Sequence, residues 1–80
     1  MTIAIRVNGD ATAAVPDDTL LDLVARLTGH DLQSDGSRVD GGRLGVAVAV
    51  GGAVVPRSRW SARRVAEGDE IEIVTAVQGG

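Results

Sequence analysis

The chain has to build its core almost without aromatic side chains: Trp60 is the single aromatic among 80 residues, and there is no Phe, Tyr or Cys. Val, Ile, Leu and Ala must therefore fill the interior, a set better suited to a pleated sheet than to a helical bundle. The length allows one domain, residues 1–80, and folding at this size removes only about 60% of the unfolded chain's surface from water. The absence of cysteine excludes a disulfide staple, a cysteine-ligated zinc and a thiol nucleophile. Apolar residues make up 44% of the chain, too many for disorder. All eight basic residues are arginine, set against 11 acidic ones for a net charge of −3. That balance argues against nucleic-acid binding, which needs a basic surface and often aromatic platforms. No apolar run approaches the ~20 residues that span a bilayer, and the N-terminus lacks the pattern of a signal peptide. A cytoplasmic protein with no membrane partner is the expectation.

Periodicity orders the chain. Residues 3–7 (IAIRV) alternate, with Ile3, Ile5 and Val7 on one side and Ala4 and Arg6 on the other, as in a half-buried strand. Asn8-Gly9 suits a tight hairpin turn, so residues 10–15 return as a second strand with Ala11, Ala13 and Val15 on one face. The period then changes: Leu20, Leu23, Val24 and Leu27 fall on one face of a helix over residues 19–28. Asp18 or Thr19 caps its start, Asp22 completes a box-like pair with Thr19, and Gly29 ends it. Val46–Val50, Gly51-Gly52 and Ala53–Val55 make a second hairpin, with Pro56 marking an edge strand. Residues 57–64 form a short helical or irregular crossing in which Trp60 plugs the core. A turn at 66–69 leads to a last strand, residues 70–77, with Ile71, Ile73 and Thr75 opposing Glu72, Val74 and Ala76. The order is ββαββ and then a final β, an α+β domain with one main helix across one sheet face. The uncovered face would carry Ala4, Ala47, Ala49, Val74 and Ala76, a flat apolar patch that could dock a partner protein.

Chemistry is sparse along most of the chain. The five-glycine stretch 29–45 has no sustained period and reads as a mobile surface loop rather than a binding loop. Asp31, Asp35 and Asp40 lack calcium-loop spacing, and His30 has no second histidine or cysteine with which to hold a metal. Asp17-Asp18 fits helix capping better than acid–base catalysis. Gly51-Gly52 opens no helix and so makes no phosphate loop. Arg57, Arg59, Arg63 and Arg64 read as a solvated charged surface before an acidic-partner site. No nucleophile, base and orienting group stand together, so a stand-alone enzyme is not expected.

The informative feature is the sequence's last stretch, Thr75-Ala76-Val77-Gln78-Gly79-Gly80. Two glycines without Cβ atoms make a thin, flexible strip, about residues 78–80, able to thread a narrow channel. They also leave a terminal carboxylate open to activation and nucleophilic attack. With this ending, the ββαββ layout resembles the sulfur-carrier protein of thiamine biosynthesis, the ThiS family of ubiquitin-like β-grasp domains. The likeness is carried by Val7-Asn8-Gly9-Asp10, Leu20-Leu21-Asp22-Leu23, Val54-Val55-Pro56-Arg57 with Trp60, and the run from Glu67 to Gly80. It is most specific in that last run, and the segment Ser34–Arg43 departs from it by its length.

The resemblance implies a mixed sheet and a carrier that is not itself an enzyme. Its Gly80 carboxylate would be adenylated by an E1-like adenylating enzyme that uses ATP, the carrier itself binding no cofactor. It would then be converted to a thiocarboxylate with sulfur from a donor such as a cysteine desulfurase system. Thiazole synthase would receive the sulfur. Gly79, Gln78 and Val77 would guide the tail, and the uncovered face would meet the partners. A monomer is expected when free, from size and the carrier role. The related sulfur carrier of molybdenum-cofactor synthesis is the nearest alternative, disfavoured because no proline stands in Ile73–Gln78. A ubiquitin-like protein modifier and a pure interaction domain are the further alternatives.

Overall fold

A computed structural model of the chain describes residues 1–75. Five strands and one helix follow in order: β1 (Ile3–Val7), β2 (Asp10–Ala14), α1 (Leu20–Thr28), β3 (Val46–Val50), β4 (Ala53–Val55) and β5 (Glu70–Thr75), with a turn of 3-10 helix at Arg57–Arg59 between the last two. The strands form one sheet in the order β2-β1-β5-β3-β4. β5 is last in sequence but central in space, parallel to β1 and antiparallel to β3. The expected mixed sheet with one covering helix is thus the observed architecture.

Local chemistry explains the elements. Asn8 and Gly9 both take positive φ, 53° and 86°, the pair of conformations that turns one strand back on the next with matching twist. β1 and β2 pair in a register that sets Ile3 opposite Ala14 and Ile5 opposite Thr12. The core side of β2 therefore carries Thr12 and Ala14, while Ala11 and Ala13 lie on the outer side with Ala4 and Arg6. Val15, expected in line with Ala11 and Ala13, leaves the ladder instead. Its carbonyl accepts from Asp18 N at 3.0 Å in a turn that the fixed φ of Pro16 favours.

Thr19 is the N-cap of α1. Its hydroxyl accepts from Asp22 N at 3.2 Å, and Asp22 Oδ2 accepts from Thr19 N at 3.1 Å, a complete capping box. The crossing segment supplies the remaining acceptors: Leu20 N donates to Arg63 O at 2.9 Å and Leu21 N to Trp60 O at 3.3 Å. Asp18 thus does not cap; its Oδ2 accepts from Arg26 at 2.8 Å and from Val15 N at 3.3 Å. Leu20, Leu23 and Val24 are buried, but Leu27 is 53% exposed. Its angular position on the helix matches that of Leu20, so its place in the final turn is what leaves it outside the core.

The core joins these three helix residues to Ile5, Val7, Ala14, Val46, Val48, Ile71, Val65 and Trp60. Trp60 is 1% exposed, and its indole Nε1 donates to Val55 O at 3.0 Å, so the one polar atom of the ring is satisfied at the edge strand. Residues 29–45, expected as a mobile loop without pattern, are organised by their own hydrogen bonds. Gln33 N donates to Ser37 O at 2.7 Å, Val39 N to Asp31 O at 3.0 Å, and the Asp35 and Asp40 carboxylates accept from the amides two residues on. Leu32 and Leu44 pack against the core, and buried Gly36 lies against Arg57, whose guanidinium in turn sits 5.8 Å from the Trp60 ring centroid.

Two outcomes test this packing. A Cβ at Gly36 (φ +87°) would overlap Arg57 Cγ, whereas one at Gly41 (φ +81°) meets nothing within 4 Å. Both alanine variants suffer the left-handed backbone penalty, so Gly36→Ala should cost at least about 1 kcal/mol more than Gly41→Ala in urea unfolding. Equal costs would show that the Arg57 stem gives way freely. The second concerns acid. The hydrogen bond from Arg26 holds the Asp18 carboxyl below the usual carboxylate range, against the opposing effect of burial and with help from Val15 N. A lowered native value means stability that is complete above about pH 4 and lost as pH falls through that native value. Urea midpoints taken from about pH 6 to about pH 2.5 should therefore fall less steeply for Asp18→Asn than for the parent chain.

Candidate functional site

The sequence concentrates its chemistry on Ala76, Val77, Gln78, Gly79 and Gly80, which lie outside the described residues. What is described is the strand that leads to them and the surface around it. β3 accompanies β5 to its end, from Val50 opposite Ile71 to Val46 opposite Thr75. On the other side β1 reaches only as far as Val7 opposite Ile71 before turning away at Asn8-Gly9. Asn8 N makes a last backbone bond to Ile71 O at 2.9 Å. The Asn8 side chain then takes over: Nδ2 donates to Ile73 O at 3.2 Å, and Oδ1 accepts from Ile73 N at 2.8 Å. A carboxamide thus stands where another peptide unit of β1 would have been.

The sheet face away from α1 holds the expected apolar patch, but in two pieces. Ala47 lies opposite Val74, and Ala49 lies between Glu72 on β5 and Val54 on β4. Val74 and Val54, on the two strands that flank β3, are 60% and 75% exposed. Ala4 does not join them. It pairs with Ala13, its N donates to Glu67 Oε2 at 3.0 Å, and its carbonyl accepts from Gly68 N at 2.8 Å. Because β1 and β5 are parallel, Ala4 sits level with Gly68, roughly 20 Å along the strand from Val74. Arg6 and Glu70, paired across β1 and β5, together with Glu72, separate the two pieces. Sequence alternation assigns each residue a face but not a neighbour, and this pairing joins the two ends of the chain. Val54 was within reach of the sequence, since a two-residue Gly51-Gly52 turn sets it opposite Ala49.

The arginine-rich crossing is largely committed within the chain. Arg57 lies over Trp60, Arg63 NH2 is 3.3 Å from Asp69 Oδ2, and Arg64 NH1 is 4.0 Å from Asp17 Oδ1. An open groove beside it is lined by Val54, Val55, Pro56, Arg59, Ala62 and Arg63. Among the described residues no three His, Asp or Glu side chains converge as a metal site, and no helix is long and apolar enough to cross a membrane.

A five-stranded mixed sheet with a central last strand and a single helix across one face defines the β-grasp class. A solved structure, that of thiamine biosynthesis protein ThiS from Geobacter metallireducens, matches it with a TM-score of 0.68 over 98% of this chain and 100% of that one. The two sequences are 21% identical, so that likeness speaks for the fold. No curated protein matches the chain. The model of the ThiS family matches residues 5–80, a span that includes Asn8, the exposed patch and both final glycines. The chain belongs to the ThiS family.

If the Ala47–Val74 surface is spare rather than structural, charging it should leave the fold intact. Ala47→Lys and Val74→Lys should each cost less than about 1 kcal/mol in urea unfolding, against about 3 kcal/mol for Ile71→Ala in the core.

Proposed function

We propose that the chain is a sulfur carrier for synthesis of the thiamine thiazole, and that its reacting group is the carboxylate of Gly80. The observation that carries this reading is the family match, which runs through residue 80 and so includes Gly79 and Gly80. A carboxylate is a poor electrophile until one oxygen becomes part of a good leaving group. In the proposed sequence that oxygen attacks the α-phosphorus of ATP held by an E1-like partner, pyrophosphate departs, and an acyl-adenylate forms. A sulfur nucleophile then displaces AMP to leave a thiocarboxylate, which thiazole synthase accepts. The sulfur would come from a cysteine desulfurase system, its persulfide sulfur taken to the sulfide level by two electrons from a thiol reductant, which leaves as a disulfide.

The division of labour follows from the residues. No side chain of the carrier is assigned a catalytic role; ATP belongs to the partner, and the carrier contributes a reactive carbonyl on a slim support. Gly79 lets the backbone pass a narrow channel, and Gln78 and Val77 guide it. The Ala47, Ala49 and Val74 patch, bounded by Glu72, is the proposed docking surface for the activating enzyme. Ala4 belongs to a separate area of the sheet.

Intact mass after incubation with ATP, the activating enzyme and a sulfide source tests the reading. The full-length chain should gain the mass of one oxygen exchanged for sulfur, and a variant lacking Gly79 and Gly80 should gain nothing. No gain with an activating enzyme proven on another carrier would overturn it. A stable adduct on lysines of other proteins would instead indicate a modifier.

A further inference from the structure

We infer that Asn8 is a positioning residue for the proposed sulfur transfer, its side-chain amide fastening β5 at Ile73 and thereby fixing the direction of the strand up to Thr75, ahead of the reacting terminus. The inference rests on the carrier reading. β5 is paired on both sides up to Ile71, but beyond it only β3 continues alongside. At that point one carboxamide supplies both a donor and an acceptor to the same residue, at 3.2 and 2.8 Å. No other side chain does so anywhere along the described sheet. The two bonds extend the β1 edge by one rung without extending β1, which must turn back at Gly9.

The same residue has a second task that accounts for asparagine in the turn. Asn8 is the only non-glycine residue with positive φ among the described residues, and asparagine is among the side chains that tolerate this region. Turn formation alone would be served as well by glycine. The amide is therefore the distinguishing element, and its partners lie on β5 rather than within the hairpin. A carrier whose last strand frayed beyond Ile71 would present its tail over many directions. Each direction would have to be selected again at every encounter, a cost that falls on association and not on the bond-making step.

Asn8→Gly keeps the turn and removes the amide, while Asn8→Asp keeps an acceptor for Ile73 N and loses the donor to Ile73 O. Amide hydrogen exchange should quicken at Ile73 by about tenfold in Asn8→Gly and by less in Asn8→Asp, with the Leu23 and Val48 amides unchanged. With the activating enzyme and ATP, the KM for the carrier should rise about fivefold in Asn8→Gly with kcat unchanged. Asn8→Asp should fall between Asn8→Gly and the parent. Unchanged exchange at Ile73 would overturn the clamp, and faster exchange with an unchanged KM would overturn its positioning role. Failure of the parent chain to be activated would count against the carrier reading alone, because the exchange measurement needs no partner.

Discussion

The first amides of the helix are bonded to carbonyls from the far side of the sequence, and the rest of the fold depends on that junction. Leu20 N and Leu21 N reach Arg63 O and Trp60 O, and Val65 N returns a bond to Asp18 O at 2.9 Å. The same segment sends the Trp60 ring into the core and its Nε1 to Val55 O. One short crossing thus ties the start of α1 to the edge strand β4 and fills the space between them with the chain's largest side chain. In a domain that must otherwise pack on Val, Ile, Leu and Ala, this places the one large aromatic surface where helix and sheet would gape. The 29–45 segment is secured through the same residue, by way of Gly36 and Arg57.

Much of this was legible in the sequence because it is local. Asn8-Gly9, the Thr19–Asp22 box, Gly29 and Gly51-Gly52 each act over a few residues, so their outcome does not depend on what packs above them. The misreadings arose where distant segments decide. Alternation in residues 10–15 names two faces without saying which is buried; pairing with β1 chose Thr12 and Ala14. Leu27 satisfies the helical period yet lies beyond the core. The alanine patch looked continuous because parallel pairing of β1 with β5 cannot be read from either strand. The 29–45 segment carries no period because its order comes from aspartate side chains bonding nearby amides, which no hydrophobic pattern reports.

The candidate site divides in the same way. Gly79 and Gly80 announce themselves as residue types at a position, without help from tertiary structure. Asn8 does not, because such a turn accepts asparagine as readily as glycine and the residue type by itself signals nothing further. Its second set of partners becomes visible only when β5 lies beside it. The fold surrounding the proposed chemistry is accordingly conservative in its use of residues: one carboxamide, one exposed valine–alanine surface and a strand end, with the reactive atoms left to the backbone. Such a division suits a molecule whose partners supply the catalytic groups.

The central place of β5 has a consequence for how the chain is born. During synthesis from the N-terminus, β1–β2 and β3–β4 emerge as two separate hairpins, each of a kind that is at best marginally stable alone in water. No sheet hydrogen bond joins the two until β5 is in place between them. A nascent chain halted before Glu70 would hold two ribbons with open flanks, joined only through the crossing that bonds α1 to β4, a state exposed to proteases and to pairing with strangers. The continuous sheet therefore waits on the last strand to be made.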